Sequence, residues 1–144
     1  MTPAERDIAA AGALLLAEGR RIDWISRAVT LLAIAGLLLL PSLPAGPVRG
    51  AVVPLALIVV LGLAQAVYAL RVAFDAGLFA ALGSASPPAT LGGLDAALIG
   101  LGLLPAAKAG RTLQARLAGA MRLMRWQAAL LAGQLLVCVA AALF

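Results

Sequence analysis

Two aspartates stand where an apolar chain has little use for them. Asp75 lies in "RVAFDAGLFAALG" (71–83) and Asp95 in "LGGLDAALIGLGLL" (91–104); no other acid follows Asp23. A carboxylate withdrawn from water can carry a proton, hold an ion or pair with a guanidinium. Aligned on the acid, each segment reads large apolar residue, Asp, two small residues, two large apolar residues. Arg71 precedes Asp75 by one helical turn, within pairing reach, although Arg-first is the weaker order. Gln65 is the one strongly polar side chain of the apolar run before them. Asp75, Asp95, Arg71 and Gln65 are therefore the candidate polar-pairing or ion site. A second set, Lys108, Arg111, Arg122 and Arg125, forms a basic face suited to anionic lipid head groups or to a partner. The plainest account of the aspartates is charge on the wet side of two interfacial helices. The sharper one pairs them with arginines of 108–125 and so locks a helical hairpin onto the last helix.

Other chemistries lack their residues. The chain has no histidine and one cysteine, Cys138. Imidazole ligation and the commonest general base are absent. Thiolate metal and cluster sites need several cysteines. There is no P-loop, GxSxG or CxxC motif, and the glycines of 91–102 lack the order of a dinucleotide fingerprint. No catalytic residue, cofactor or metal site is expected, and the expectation is a protein that is not an enzyme.

The elements that position these residues follow from composition. Of 144 residues, 64% are hydrophobic and 12% charged, against about 45–50% and about 25% in soluble domains. A chain this small cannot bury that much apolar surface in water. The expected class is an all-α integral membrane protein with three transmembrane helices, an N-terminal amphipathic helix and a cytoplasmic-side interfacial helical pair. Thr2, Pro3 and Glu5 form a capping box opening a helix over 3–19. Residues 24–43 and 50–70 are each about 30 Å long as helices, the thickness of a bilayer core. Between them "PSLPAGPVRG" breaks the chain. Residues 71–83 and 91–104 read as the interfacial pair, with Thr90 as a cap and Pro105 as a stop. A long helix over 112–144 begins with Leu113, Leu117, Ala120, Met121 and Met124 on one side and arginines on the other. It ends in a third span over 126–144. Gly62/Ala66 and Ala129/Gly133 allow close helix approach. Gln127 and Gln134 share a face that Gln65 can answer.

Charge orients the spans. With the N-terminus in the cytoplasm, ten basic residues lie inside and only Arg49 outside, as the positive-inside rule requires. Trp24, Tyr68 and Trp126 then fall at the cytoplasmic ends of their spans, as an aromatic belt. The C-terminus is periplasmic. A four-span alternative, with 91–107 crossing, moves five basic residues to the wrong side. A re-entrant hairpin of the two segments is a third arrangement.

The net charge of +5 is met by topology and anionic lipid rather than nucleic acid. The expected localisation is a bacterial inner membrane. The expected role is a small non-enzymatic accessory or assembly subunit, touching the bilayer, other membrane subunits or its own copies. A transporter or channel element using Asp75 and Asp95 is one alternative. A holin-like pore protein is another.

Overall fold

The computed structural model describes residues 1–42, 45–84 and 90–143, and the side chains of 45–49 lie outside that description. The expected break at 41–50 is shorter than its prolines suggested: a 3-10 turn covers Leu40–Ser42, residues 43–44 lie outside the description, and 45–50 already belong to a helix. Most of the expected loop at 84–90 and the side chain of Arg49 also lie outside it. Among the described residues the chain is all-helical, without strands. Helix α1 spans Pro3–Ala17, α2 Gly19–Leu39, α3 Ala45–Gly83, α4 Leu91–Gly100 and α5 Leu113–Leu143. Short 3-10 turns cover Leu40–Ser42 and Ala106–Lys108. Three helical stretches are long and apolar enough to cross a membrane: Pro3–Ser42, Gly50–Gly83 and Leu113–Leu143.

The capping box at the start is formed. Thr2 Oγ1 accepts from the Glu5 amide at 3.2 Å, and the Thr2 amide donates to Glu5 Oε2 at 2.7 Å. Helix α1 then meets α2 at Glu18, whose φ of −62° and ψ of −22° remain helical. The expected separate N-terminal helix is thus the first half of a nearly continuous rod.

A larger departure concerns residues 71–83. They do not form a separate interfacial helix: α3 runs without interruption from Ala45 through Tyr68, Arg71 and Asp75 to Gly83. The reason lies in its inner stripe. Ile58, Gly62, Gln65, Ala69, Val72, Ala76 and Phe79 recur in alternating steps of four and three, all buried or half-buried. The stripe crosses position 70 without a change of phase. Arg71 lies off it and stays exposed; Asp75 lies beside it, half-buried. Charge near the stripe does not end a helix whose packing face continues.

The same stepping runs from Ala9 to Leu40 through α1 and α2, and from Leu113 to Cys138 in α5. Three seams in one seven-residue repeat define a bundle of the coiled-coil type. Their content changes along the axis. At one end, a core of Ala9, Leu16, Val72, Phe79, Leu82, Leu113 and Ala120 is closed by apolar contact. We call this the head. Beyond the level where Gly19, Val72 and Gln127 meet, polar side chains enter the seams: Ser26, Thr30, Gln65, Gln127 and Gln134 are all buried, interleaved with Ala33, Leu40, Ile58, Ala69 and Leu131. This part, the shaft, is about 30 Å long in α2 at 1.5 Å per residue.

One amide ties the shaft together. Gln134 Oε1 accepts from Ser26 Oγ at 2.6 Å, and its Nε2 donates to Thr30 Oγ1 at 3.0 Å and to the Ile58 carbonyl at 3.1 Å. Thr30 Oγ1 in turn donates to the Ser26 carbonyl at 2.7 Å. Gly62 makes this possible. A Cβ there would collide with Thr30 Oγ1 and stand 2.7 Å from Gln134 Nε2. Gly133, the other expected close-approach glycine, is looser: its Cβ would meet only Leu61 Cδ1 at 3.6 Å. Gly62→Ala should therefore destabilise the folded protein by about 1–3 kcal/mol through overpacking, while Gly133→Ala stays within about 0.5 kcal/mol. Unfolding in a neutral detergent checks both; equal effects would contradict the packing described.

Candidate functional site

The sequence-selected polar residues separate in the fold. Asp95 is buried, 6% exposed, on the inner side of α4. Thr90 Oγ1 caps this helix by accepting from the Gly93 amide at 3.1 Å. The helix stops at Gly100, four residues short of the expected end. The turn at Gly102 brings the Leu103 and Leu104 amides back to the Leu98 carbonyl at 2.9 and 3.2 Å.

Asp95 then meets the chain leading into α5. Arg116 Nη2 lies 2.6 Å from Asp95 Oδ1 and 2.8 Å from Oδ2. The Gly110 amide donates to Oδ2 at 2.9 Å. Gly110 has φ +74°, a conformation that side chains resist. Arg116 also donates from Nε to the Arg111 carbonyl at 3.1 Å. One ion pair thus clamps α4, the 108–111 loop and the first turns of α5. The Gly110 amide, with help from Arg116, holds the Asp95 carboxyl below its ordinary value of 3.8 against the opposing effect of burial.

Asp75 is differently placed. It is half-buried on α3 and forms no ion pair within 4 Å among the described residues. Burial pushes its carboxyl above 3.8, and the nearby charge of Arg71 only partly offsets this. The two aspartates therefore do not share a site. Gln65 is separate again. It is fully buried in the shaft, yet neither amide atom finds a partner among the described residues. It does not answer Gln127 or Gln134: Gln127 Nε2 donates to the Gly19 carbonyl at 2.7 Å, and Gln134 is held by Ser26, Thr30 and Ile58.

The structure instead joins Asp75 to the basic set. A cleft of about 300 Å³ opens between α3, α4 and α5. Phe74, Leu78, Phe79, Leu94 and Leu98 form its apolar wall, and Asp75, Lys108, Arg111, Arg116 and Arg122 also line it. Arg125 does not reach it. A second groove, about 740 Å³, runs between α1 and α3 from the head to the first turn of α2 and is lined mainly by alanine and glycine, with Arg20 and Asp23 at that end.

Sequence reasoning missed two participants, Ser26 and Thr30, and left open which arginine of 108–125 meets which aspartate. Only the fold selects Arg116 from that range and places it against Asp95. Ser26 and Thr30 drew no notice, although their spacing from Gly19 and Ala33 follows the seam. Among the described residues, no group of three or more acids or cysteines could hold a metal ion. Comparison with protein families, curated proteins and solved structures finds no match to this chain. What is defined is a class: an all-helical chain with three helices long and apolar enough to span a membrane.

The aspartates should titrate with opposite consequences. Asp95 supplies stability that is complete above pH 3.8 and lost as pH falls through its lower folded value. Asp75 favours the fold when protonated, so its contribution declines as pH rises from 3.8 through its raised folded value. At neutral pH, Asp95→Asn should lower stability by about 1–3 kcal/mol and speed hydrogen exchange over 90–112, while Asp75→Asn should raise the unfolding midpoint. Equal shifts of the same sign would refute this assignment. In the shaft, Gln65→Met should be neutral or stabilising, whereas Gln134→Met should cost about 0.6–2 kcal/mol; thermal unfolding of the two variants in detergent separates them.

Proposed function

We propose that this chain is an integral protein of a bacterial inner membrane that serves, without enzymatic activity, as an accessory or assembly subunit of a larger membrane complex. The shaft is the membrane-spanning part, crossed three times. The head and the N-terminus are cytoplasmic and the C-terminus is periplasmic. Two features support this placement. Trp24, Tyr68 and Trp126 lie within five residues of the level where Gly19, Val72 and Gln127 meet, so the aromatic belt coincides with the level at which polar side chains enter the seams. The seam chemistry also suits each solvent. In water, burial of apolar side chains drives helix association. In lipid it does not, and small residues and interhelical hydrogen bonds take over. The exposed basic face of Lys108, Arg111, Arg122 and Arg125 lies on the cytoplasmic side in this placement, near anionic head groups.

The observation that carries the accessory role is the groove between α1 and α3. It is open and mostly apolar, with Arg20, Asp23 and Ser84 also lining it, and most of its length lies on the head, where water rather than lipid would cover it. Ala10, Ala13, Ala17, Ala73, Ala76 and Ala80 line it, and Leu14 beside it is 73% exposed. Small side chains let another helix approach closely, and an apolar surface left open to water marks an interaction site. The occupant proposed is an apolar or amphipathic helix of a partner subunit. The pairing of Asp95 with Arg116 supports a structural role for that carboxylate over a transporting one.

A photo-crosslinking residue at position 73, expressed in native membranes, tests this reading. The expected product is one discrete heteromeric adduct, lost when Ala76→Trp fills the groove. An adduct of twice the chain's own mass would replace the partner with a second copy. No adduct at 73, with efficient crosslinking at a lipid-facing control position, would overturn the proposal.

A further inference from the structure

The cleft between α3, α4 and α5 has a wall and a rim of different chemistry. Its wall is apolar, from Phe74, Leu78 and Phe79 on one side and Leu94 and Leu98 on the other. Its cations are Lys108, Arg111, Arg116 and Arg122. Arg116 is committed to Asp95. Lys108, Arg111 and Arg122 are exposed and make no ion pair within 4 Å among the described residues.

The loop that carries two of these cations is also held in place. Asp95 takes the Gly110 amide, and Arg116 donates to the Arg111 carbonyl. Both contacts fix backbone, which leaves the Lys108 and Arg111 side chains free to meet a ligand. Cations needed only for topology would not require such a clamp. The volume, about 300 Å³, is at the lower end for ligand sites and suits one alkyl chain rather than two.

We infer that this cleft binds a single-chain anionic amphiphile, its alkyl chain against the Phe74–Phe79 and Leu94–Leu98 walls and its phosphate or carboxylate head on Lys108, Arg111 and Arg122. Such a molecule can come from the bilayer, as a one-chain phospholipid, or from solution, as a free alkyl phosphate or fatty acid. Asp75 sets a limit on the site. As the one carboxylate lining the cleft it repels an anion, so it holds affinity down and releases the ligand more readily.

The inference takes the basic face from the proposed function but does not need the partner groove or the orientation in the membrane. It is therefore tested on the purified full chain in neutral detergent micelles, where a failure at position 73 has no bearing. Native mass spectrometry would follow binding of dodecyl phosphate, with inorganic phosphate and neutral dodecyl maltoside as competitors. Wild type should bind one dodecyl phosphate that neither competitor displaces at equal concentration. Lys108→Gln with Arg111→Gln should weaken binding about tenfold or more, and Leu78→Trp should abolish it by filling the cleft. Asp75→Asn should tighten binding several-fold, a gain that misfolding cannot produce. Lysophosphatidic acid and phosphatidic acid then separate the sources: the one-chain lipid should compete and the two-chain lipid should not. Displacement by inorganic phosphate alone, affinity within twofold in the double variant, or weaker binding by Asp75→Asn would overturn the inference.

Discussion

The amide of Gln134 joins all three long helices. Its oxygen accepts from Ser26 and its nitrogen donates to Thr30, both on α2, and to the carbonyl of Ile58 on α3. No other side chain bridges the shaft this way among the described residues. The arrangement depends on Gly62, which leaves room for the amide beside the α3 backbone. It also sets the register of the bundle. With α5 held at one height against α2 and α3, the three seams meet at matching levels, and the apolar positions of the head come into contact. A slip of one residue would turn each seam off its neighbours and strip the buried Gln134 amide of its three partners, which is costly in any apolar medium.

That register has a consequence at the other end of the molecule. The head core, built from α1, α3 and α5, is a continuation of the same seams and needs no independent turn to position it. Helix α4 is the exception. It is short, lies outside the three-seam pattern, and is held by the ion pair of Asp95 with Arg116 and by Leu91 and Leu94 packed on the core. A buried carboxylate with a guanidinium and a backbone amide is fully engaged, so it specifies one position for α4 and for the 108–111 loop. The cleft lies between α3 and the elements this clamp holds. The bundle therefore combines a long rod set by periodicity with a small appendage set by one polar contact.

Parts of this were legible in the residues. The capping box, the Thr90 cap, the apolar stretches that can cross a membrane and the long last helix all follow from local rules that involve neighbours a few positions apart. The end of α3 was not. Arg71 and Asp75 read as an interfacial element by their charge, yet the stripe through Gln65, Val72 and Phe79 passes them in unbroken phase. Ser26 and Thr30 were hidden for a related reason: in an apolar span they look like incidental polarity until the seam is traced.

Composition and spacing alone determined the helical class, the candidate spans and the positions of the charged residues, since each depends on short-range chemistry or on totals. Only the tertiary structure decided which carboxylate finds an arginine. Asp75 and Asp95 occupy near-identical sequence settings. One lies half-buried on a continuous rod beside an unpaired basic rim, and the other is enclosed by Gly110 and Arg116. Their difference arises from where α4 and the 108–111 loop fold back, between residues 15 and 21 positions apart. Local pattern cannot express a contact over that separation, because it is the packing of the rest of the chain that closes the distance.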